Sequence, residues 1–333
     1  MVFMDKLLSE FRQDLVSGDW VLFSVDRAHS IRKFEDSYEP KENCPFENPE
    51  KSGQEIIWGW PDKENWRVMI IKNKYPAVLS GICAPDRKTG PFNIHDGVGE
   101  HNVIIFKDHD ISFADLSIEQ AVDAVRIYKK RYQEMAQASE CVEYIMIFHN
   151  FGKEAGASIF HPHSQIISLP ILPPDISRSL RGSYGYYQEQ KKRVYDVVVE
   201  WELEQKKRVV HENDFFVAFC PFVSKSPYEV RIFSKDSHAH FEKMPDEFDK
   251  YLADTLLAVL KKIRKVLANP PYNFFIHTAP AKENKFEANF HEFYHWHIEI
   301  LPKLSIAAGF ELGTGVDINV VDPDRAAEEL RNA

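Results

Sequence analysis

Residues 160–168 read FHPHSQIIS, and the spacing of their polar side chains is unusual. In an extended chain the side chains alternate between two faces, so His161, His163 and Gln165 point to the same side. Because Pro162 donates no backbone hydrogen bond, we expect this strand at a sheet edge or at an irregular point of the ladder. Two imidazoles and an amide on one accessible face indicate a functional site rather than a core.

The segments before this strand predict a unit of strand, helix, strand and histidine strand. Residues 101–110 are strand-like and end in charge, and Ser117 with Gln120 forms a capping box that begins a helix. Residues 142–152 are typical of a second strand. A loop of small residues, KEAGAS, then leads into the histidine strand.

The second half of the chain repeats this order. A strand, a helix and the strand at 272–280 lead to residues 293–302, where His295, His297 and Glu299 share one face. The repeated order predicts a duplication within an α+β fold, with mainly antiparallel sheets and a helix packed on each. The second triad can also be structural, with its histidines only lining a groove.

The predicted duplication divides the chain into an N-terminal half at 1–185 and a C-terminal half at 186–333. The proline-bearing connection at 168–180 and a charged, helix-like stretch at 186–208 would link the two halves. With 333 residues, the chain is long enough for two units of ordinary size.

Composition indicates a soluble, cytoplasmic protein. The chain is 44% hydrophobic and 28% charged, and its net charge of −10 argues against a nucleic-acid binder. No apolar run approaches the roughly 20 residues that span a bilayer, and the first residues lack the apolar core of a signal peptide. The four cysteines are widely spaced and imply no disulfide framework.

The histidine strand has the residue types that nucleotidyl transfer needs. A neutral histidine can attack an α-phosphorus and form a covalent intermediate, and a neighbouring amide can donate to the phosphoryl oxygens. Gly152 and Gly156 let the backbone approach a phosphate, and Asn150 and Ser158 offer polar hydrogens. Taken alone, an H-x-H pair is at least as often a metal site or a surface feature, and most glycine loops are simple turns.

Several segments together resemble one family. NFGKEAGASIFHPHSQ at 150–165 resembles the active-site segment of the galactose-1-phosphate uridylyltransferase family, within the histidine-triad superfamily. Further segments resemble that family's motifs in the same order: FRQDLVSGDWVLFSVDRA (11–28), CPFENPE (44–50), IIKNKYPAV (70–78), CPFVSKSPYEVRI (220–232), YHWHIEILPKL (294–304) and GFELGTGVDIN (309–319). The resemblance covers nearly the whole chain and implies tandem histidine-triad-like halves that form one half-barrel sheet.

The resemblance implies a role for individual residues. His163 matches the nucleophile that becomes uridylylated, and Gln165 matches the glutamine that contacts the phosphoryl group. The residues that match substrate-binding positions are Arg27, Asn73, Asn150, Gly156 and Ser158.

The resemblance also implies a structural zinc site at Cys44, His109 and His161, with Glu47 where the family often has a second cysteine. Carboxylates do bind zinc, so a site of one cysteine, one glutamate and two histidines is possible. The alternative is that the metal is lost and hydrogen bonds hold the histidines.

A second family metal uses three histidines and a glutamate, but no glutamate stands at the expected place after the first triad. That second site is therefore doubtful. The three matching histidines are His277, His295 and His297.

The implied function is transfer of a uridylyl group from UDP-glucose to galactose 1-phosphate by a ping-pong path. Its partners are a nucleotide sugar and a sugar 1-phosphate, and the family forms homodimers. The alternatives are an adenylyl-transferring phosphorylase that acts on ADP-glucose or diadenosine tetraphosphate, and a nucleotide-binding regulator without turnover. The choice of base depends on the pocket around Asn73, which the sequence leaves open.

Overall fold

The fold is built on one large sheet with helices packed against it. The computed structural model describes residues 9–24, 40–282 and 286–333. The strands are β1 (Ser9–Gln13), β2 (Trp20–Ser24), β3 (Ile56–Trp60), β4 (Val68–Lys72), β5 (Arg87–Thr89), β6 (Phe92–Ile94), β7 (His101–Phe106), β8 (Tyr144–Phe151), β9 (His163–Leu169), β10 (Val209–Glu212), β11 (Phe216–Phe219), β12 (Val230–Ser234), β13 (Tyr272–His277), β14 (His297–Pro302) and β15 (Asp317–Asn319). The helices are α1 (Ile118–Ala138), α2 (Pro174–Gln190), α3 (Val194–Gln205), α4 (Asp249–Leu267), α5 (Phe290–Phe293), α6 (Gly309–Thr314) and α7 (Pro323–Arg331).

The large sheet has ten strands in the order β10-β11-β12-β14-β13-β8-β9-β7-β4-β3, and its neighbouring strands are antiparallel. Read inward from its two edges, the order is symmetric. β9 and β14, the two histidine strands, take equivalent places, and β8 pairs with β13 at the centre. The α+β class and the mainly antiparallel sheet that the sequence predicts are confirmed.

Helices α1 and α4 cover one face of the sheet and share its largest apolar core. Helix α1 begins at the predicted capping box, where Ser117 Oγ accepts from the backbone N–H of Gln120 at 3.2 Å. Tyr128 on this helix is buried, and its hydroxyl lies 2.5 Å from Ser164 Oγ. Side chains alternate along β9, so His163 and Gln165 lie on the opposite face of the sheet.

Of the two positions that Pro162 predicts for the histidine strand, the sheet edge is wrong. The histidine strand β9 is not at an edge, because it pairs with both β7 and β8. Pro162 avoids a conflict by standing just before the first paired residue, and its carbonyl accepts from the backbone N–H of Phe106. The helix-like stretch at 186–208 is mostly helical, as predicted, and is divided between the end of α2 and α3 at Lys191, which adopts a left-handed conformation.

A disulfide joins Cys83 and Cys141, whose Cα atoms are 5.5 Å apart. The wide spacing of the cysteines did not predict it. The pair forms because the loop between β4 and β5 folds back onto the turn between α1 and β8. Within the described parts of the chain, no helix combines the length and the apolar character needed to cross a membrane.

Candidate active site

His163 is held in a form suited to nucleophilic attack. Its side chain is only 7% exposed, and Nδ1 donates to the backbone carbonyl of His161 at 2.8 Å. That bond fixes the tautomer and leaves the lone pair on Nε2. Burial lowers the pKa of the imidazole, and the hydrogen bond to the carbonyl opposes the shift. The ring is therefore neutral near pH 7, which is the state that a nucleophilic histidine needs.

A cavity of about 310 Å³ lies beside His163 and Gln165 on β9. It is lined by four of the residues that the resemblance assigns to substrate or chemistry, namely Asn73, Ser158, His163 and Gln165. The other lining side chains are largely apolar, as is typical of a pocket for a planar base. Among them are Phe46, Ile71, Val103 and Ile159.

Phe46 is a lining residue for which sequence reasoning assigned no role. Its ring meets the imidazole of His163 edge to face, with 5.2 Å between the centroids. The segment CPFENPE thus contributes a wall of the cavity and also contains Cys44, a predicted metal ligand. The position of Phe46, two residues after Cys44, was the available signal.

The loop before β9 needs glycine at both of the positions where the sequence predicts a close approach to phosphate. Gly152 and Gly156 have φ angles of +83° and +87°, which side chains with a Cβ rarely adopt. A Cβ on Gly152 would also lie 2.8 Å from Pro271. Gly156 lies next to Asn150, since a Cβ there would be 3.9 Å from the Asn150 amide nitrogen.

Asn273 in the second half of the chain holds this loop in place through hydrogen bonds. The sequence analysis did not identify this role. Its amide nitrogen donates to Asn150 Oδ1 at 2.7 Å and to the backbone carbonyl of Ala155 at 2.7 Å. Because the Asn150 oxygen is engaged, the group that Asn150 can offer a ligand is its N–H. Asn273 reaches the site because β13 pairs with β8. The predicted substrate contact Arg27 lies outside the described residues.

Three of the four predicted zinc ligands form a compact cluster. Ligand atoms of Cys44, His109 and His161 all lie within 4.8 Å of one another, and the three residues are buried. Glu47 is outside this group, with its carboxylate 3.9 Å from His161 Nδ1 and its side chain 41% exposed. Its predicted role as a direct ligand is therefore not visible in this arrangement.

The hydrogen bonds of the two histidines leave one nitrogen of each for a metal. His161 Nε2 donates to the carbonyl of Phe106 at 2.6 Å, so Nδ1 faces Cys44 Sγ at 3.6 Å. His109 Nδ1 donates to Asp110 at 3.0 Å, and the buried Nε2 has no hydrogen-bond partner among the described residues. A buried, unpartnered nitrogen beside a thiol and a second imidazole fits a zinc ion.

A second cluster of possible metal ligands lies on β13 and β14, and its members differ from the predicted ligand set. It contains His277, His297 and Glu299 rather than His277, His295 and His297. His295 is instead buried, with Nε2 3.0 Å from Ser234 Oγ. The carboxylate of this cluster is Glu299 of the second triad, whereas the sequence analysis sought a glutamate after the first triad. Glu299 also lies 3.5 Å from Arg231, which lowers the carboxyl pKa against the opposing effect of burial.

With this geometry established, the matches to known proteins become informative. The family model for the N-terminal domain of galactose-1-phosphate uridyl transferase matches residues 3–173, just over half of the chain. The chain belongs to this family. A second model, for a domain of unknown function, matches residues 98–333.

Two curated relatives of the uridylyltransferase family match almost end to end. ADP-glucose phosphorylase of Arabidopsis thaliana is 35% identical, over 97% of this chain and 92% of its own. Galactose-1-phosphate uridylyltransferase of Thermotoga maritima is 30% identical, over 97% of this chain and 98% of its own. Both alignments therefore extend over nearly the whole of this chain.

Solved structures agree. An ADP-glucose phosphorylase from Arabidopsis thaliana with bound ADP-glucose superposes with a TM-score of 0.83 at 34% identity, covering 98% of this chain and 99% of that one. A uridylyltransferase superposes with a TM-score of 0.76 at 27% identity, covering 97% of each chain. The resemblance stated from the sequence is confirmed, and with it the assignment to a transferase family of enzymes.

Proposed function

We propose that the protein is a UDP-glucose:hexose-1-phosphate uridylyltransferase that works through a uridylyl-His163 intermediate. The observation that carries the proposal is the buried, neutral imidazole of His163, fixed at Nδ1 and adjoining a cavity of about 310 Å³. Membership of the family supports the reaction class.

In the first step Nε2 of His163 attacks the α-phosphorus of UDP-glucose, and an N–P bond forms. The bond from that phosphorus to the bridging oxygen breaks, and glucose 1-phosphate leaves with the electron pair. The proton stays on Nδ1 and is donated in a hydrogen bond to the backbone carbonyl of His161, which stabilises the positive charge on the ring. Gln165 donates its amide N–H to a phosphoryl oxygen while charge develops.

In the second step a phosphate oxygen of galactose 1-phosphate attacks the same phosphorus. The N–P bond breaks, its electrons return to Nε2, and UDP-galactose leaves. Asn73 would contact the nucleotide, and the loop residues Asn150, Gly156 and Ser158 would hold the phosphates. Arg27 is retained in this proposal as a phosphate contact.

A second candidate is an adenylyl-transferring phosphorylase, in which inorganic phosphate is the acceptor. It is favoured by the 35% identity and the TM-score of 0.83 to an ADP-glucose phosphorylase. The chemistry at His163 would be unchanged, and only the base in the pocket and the acceptor would differ.

Exchange of label tests the function and separates the two candidates. The enzyme should move label from radioactive glucose 1-phosphate into UDP-glucose without any galactose 1-phosphate, because the first half-reaction is reversible. Exchange with ADP-glucose alone, together with phosphorolysis by inorganic phosphate, would establish the phosphorylase instead. No exchange with either donor, when nucleotide still binds, would contradict both and favour a regulator without turnover.

We further propose one structural zinc per chain, held by Cys44, His109 and His161 with Glu47 as the fourth ligand. The support is the cluster of buried donors and the unpartnered nitrogen of His109. A bound zinc would tie the Cys44 segment to the start of β9 and contribute to folding. It leaves the chemistry at His163 to the protein's own groups.

The division into halves at 1–185 and 186–333 and a homodimer complete the proposal. The symmetric strand order supports two equivalent units. For the dimer, Arg27 and residues 309–319 would complete the pocket of the partner. Phe310 and Leu312 in α6 are exposed, as apolar side chains at an interface between copies would be in a single chain.

A further inference from the structure

His101 connects the segment after β4 with the catalytic strand β9. Its Nδ1 lies 3.2 Å from the backbone nitrogen of Ala77, just beyond Asn73 in the nucleotide pocket. Its Nε2 lies 2.9 Å from Gln165 Oε1. One half-buried imidazole therefore contacts both the pocket loop and the amide assigned to the phosphoryl group.

The backbone contact decides the tautomer of His101. A backbone N–H can only donate, so Nδ1 must accept from Ala77 and carry no proton. In a neutral imidazole the proton is then on Nε2, which must donate. The ring is held neutral mainly by burial, which lowers its pKa.

The tautomer in turn decides the orientation of the Gln165 amide. The proton on Nε2 needs an acceptor, and the carbonyl oxygen of Gln165 is the one in contact. The reverse orientation would set two N–H groups against each other. With its oxygen engaged, Gln165 presents its NH₂ group to a ligand.

Asn73 contacts the same nitrogen of His101 as Gln165 does, but it does not accept the His101 proton. Its Oδ1 accepts from the backbone N–H of Tyr75 at 2.9 Å, which leaves its amide nitrogen 3.3 Å from His101 Nε2. An amide nitrogen does not accept a hydrogen bond and His101 Nε2 is protonated, so this contact joins two donors, is not a hydrogen bond, and leaves the His101 proton to Gln165. The N–H groups of both amides remain for the nucleotide.

We propose that His101 is a positioning residue for nucleotidyl transfer, which orients the Gln165 amide so that its N–H groups face the reacting phosphoryl group. The proposal rests on the proposed function at His163. It predicts that His101 acts on the transition state through Gln165, whereas a purely structural histidine would act on folding or on pocket shape.

His101→Leu removes the donor and is the first test. Removing a donor to a developing oxyanion lowers kcat by about 10²–10³-fold. Because Gln165 is still present but loses its fixed orientation, we expect a loss in kcat of roughly 10–100-fold, below that range. The KM for the nucleotide sugar should change by less than about threefold, since the uniform binding contacts remain. His101→Phe keeps a ring beside Phe148 and serves as the second variant if the leucine variant does not fold.

Two further variants make the test specific: a conservative replacement of His101 that should restore activity, and a double variant that measures its coupling to Gln165. His101→Gln can still donate to Gln165 and should recover activity to within a few-fold of the wild type. In a Gln165→Ala background, His101→Leu should cause little further loss, because the group that it orients is gone. Single-turnover formation of the covalent intermediate is the readout if steady-state rates become too low. His95→Leu, at a histidine on a separate pocket, is the control and should leave kcat unchanged.

Three results would overturn the proposal: an unchanged kcat in His101→Leu, a His101→Gln variant as slow as His101→Leu, or full additivity with Gln165→Ala. The proposed function is tested separately by the wild-type enzyme. If the wild type forms no nucleotidyl-histidine, the function itself fails. If the wild type forms it and the variants give one of these three results, only the role of His101 fails.

Discussion

Replacing His149 by phenylalanine is expected to make the protein more resistant to acid. His149 is 1% exposed beneath the catalytic strand, stacked on Phe274 with 4.9 Å between the ring centroids. Its Nδ1 lies 3.1 Å from Ser164 Oγ. Burial, and secondarily the neighbouring His163, lowers the pKa of this imidazole from 6.5 to about 3.

The size of the effect follows from proton linkage. The unfolded chain takes up a proton at this position below pH about 6.5, and the folded chain does so only near pH 3, so acid favours unfolding. The stability lost by this one residue between about pH 7 and pH 5 is roughly 2 kcal/mol, at 1.36 kcal/mol per pKa unit. A phenylalanine titrates in neither the folded nor the unfolded state, so the variant does not lose this part of the free energy of unfolding.

The measurement is the free energy of unfolding in urea at both pH values for the wild type and His149→Phe. At neutral pH the variant should lie within about 1 kcal/mol of the wild type, since Ser164 keeps its bond to Tyr128 and only one neutral hydrogen bond is lost. At the lower pH it should gain about 2 kcal/mol relative to the wild type. Parallel pH profiles for the wild type and His149→Phe would refute a neutral, buried His149.

Three further predictions concern the site and the assembly. Glu47→Cys should tighten zinc binding, because a thiolate replaces a carboxylate as the fourth ligand, and competition with a chelator measures the affinity. Weaker binding in the variant, or no metal in either protein by elemental analysis, would contradict the zinc site. His163→Asn should abolish turnover while nucleotide still binds in calorimetry, and His163→Gly should regain activity with added imidazole; an active asparagine variant would end the covalent mechanism. Mixing inactive His163→Asn with an inactive Arg27→Ala variant should restore part of the activity through heterodimers, whereas a fully active monomer in sedimentation would exclude a shared site.

The elements around the histidines were predictable because their signals are local. Ser117 caps α1 as its spacing with Gln120 predicts, and β8 lies within the predicted strand at 142–152. The place of β9 inside the sheet was not predictable from Pro162, because a proline just before a strand leaves the ladder intact.

The polar partners of the site depend on strand pairing, which one sequence does not reveal. Asn273 is 123 residues from Asn150 in the chain and reaches it only through the pairing of β13 with β8. Strict alternation placed His295 on the face of His297 and Glu299. In the structure β14 begins at His297, so His295 lies before the strand and does not follow its alternation of faces. The His295 side chain contacts Ser234 instead.

Intact-protein mass spectrometry tests the covalent mechanism most directly. After incubation with UDP-glucose, and separately with ADP-glucose, the wild type should gain the mass of one nucleotidyl group with one of the two donors. The group should map to His163, be removed by acid, and disappear when the matching acceptor is added. His163→Asn should gain no mass under the same conditions. An unmodified wild type with both donors, in a preparation that turns either one over, or a nucleotidyl group on any residue other than His163, would contradict the account.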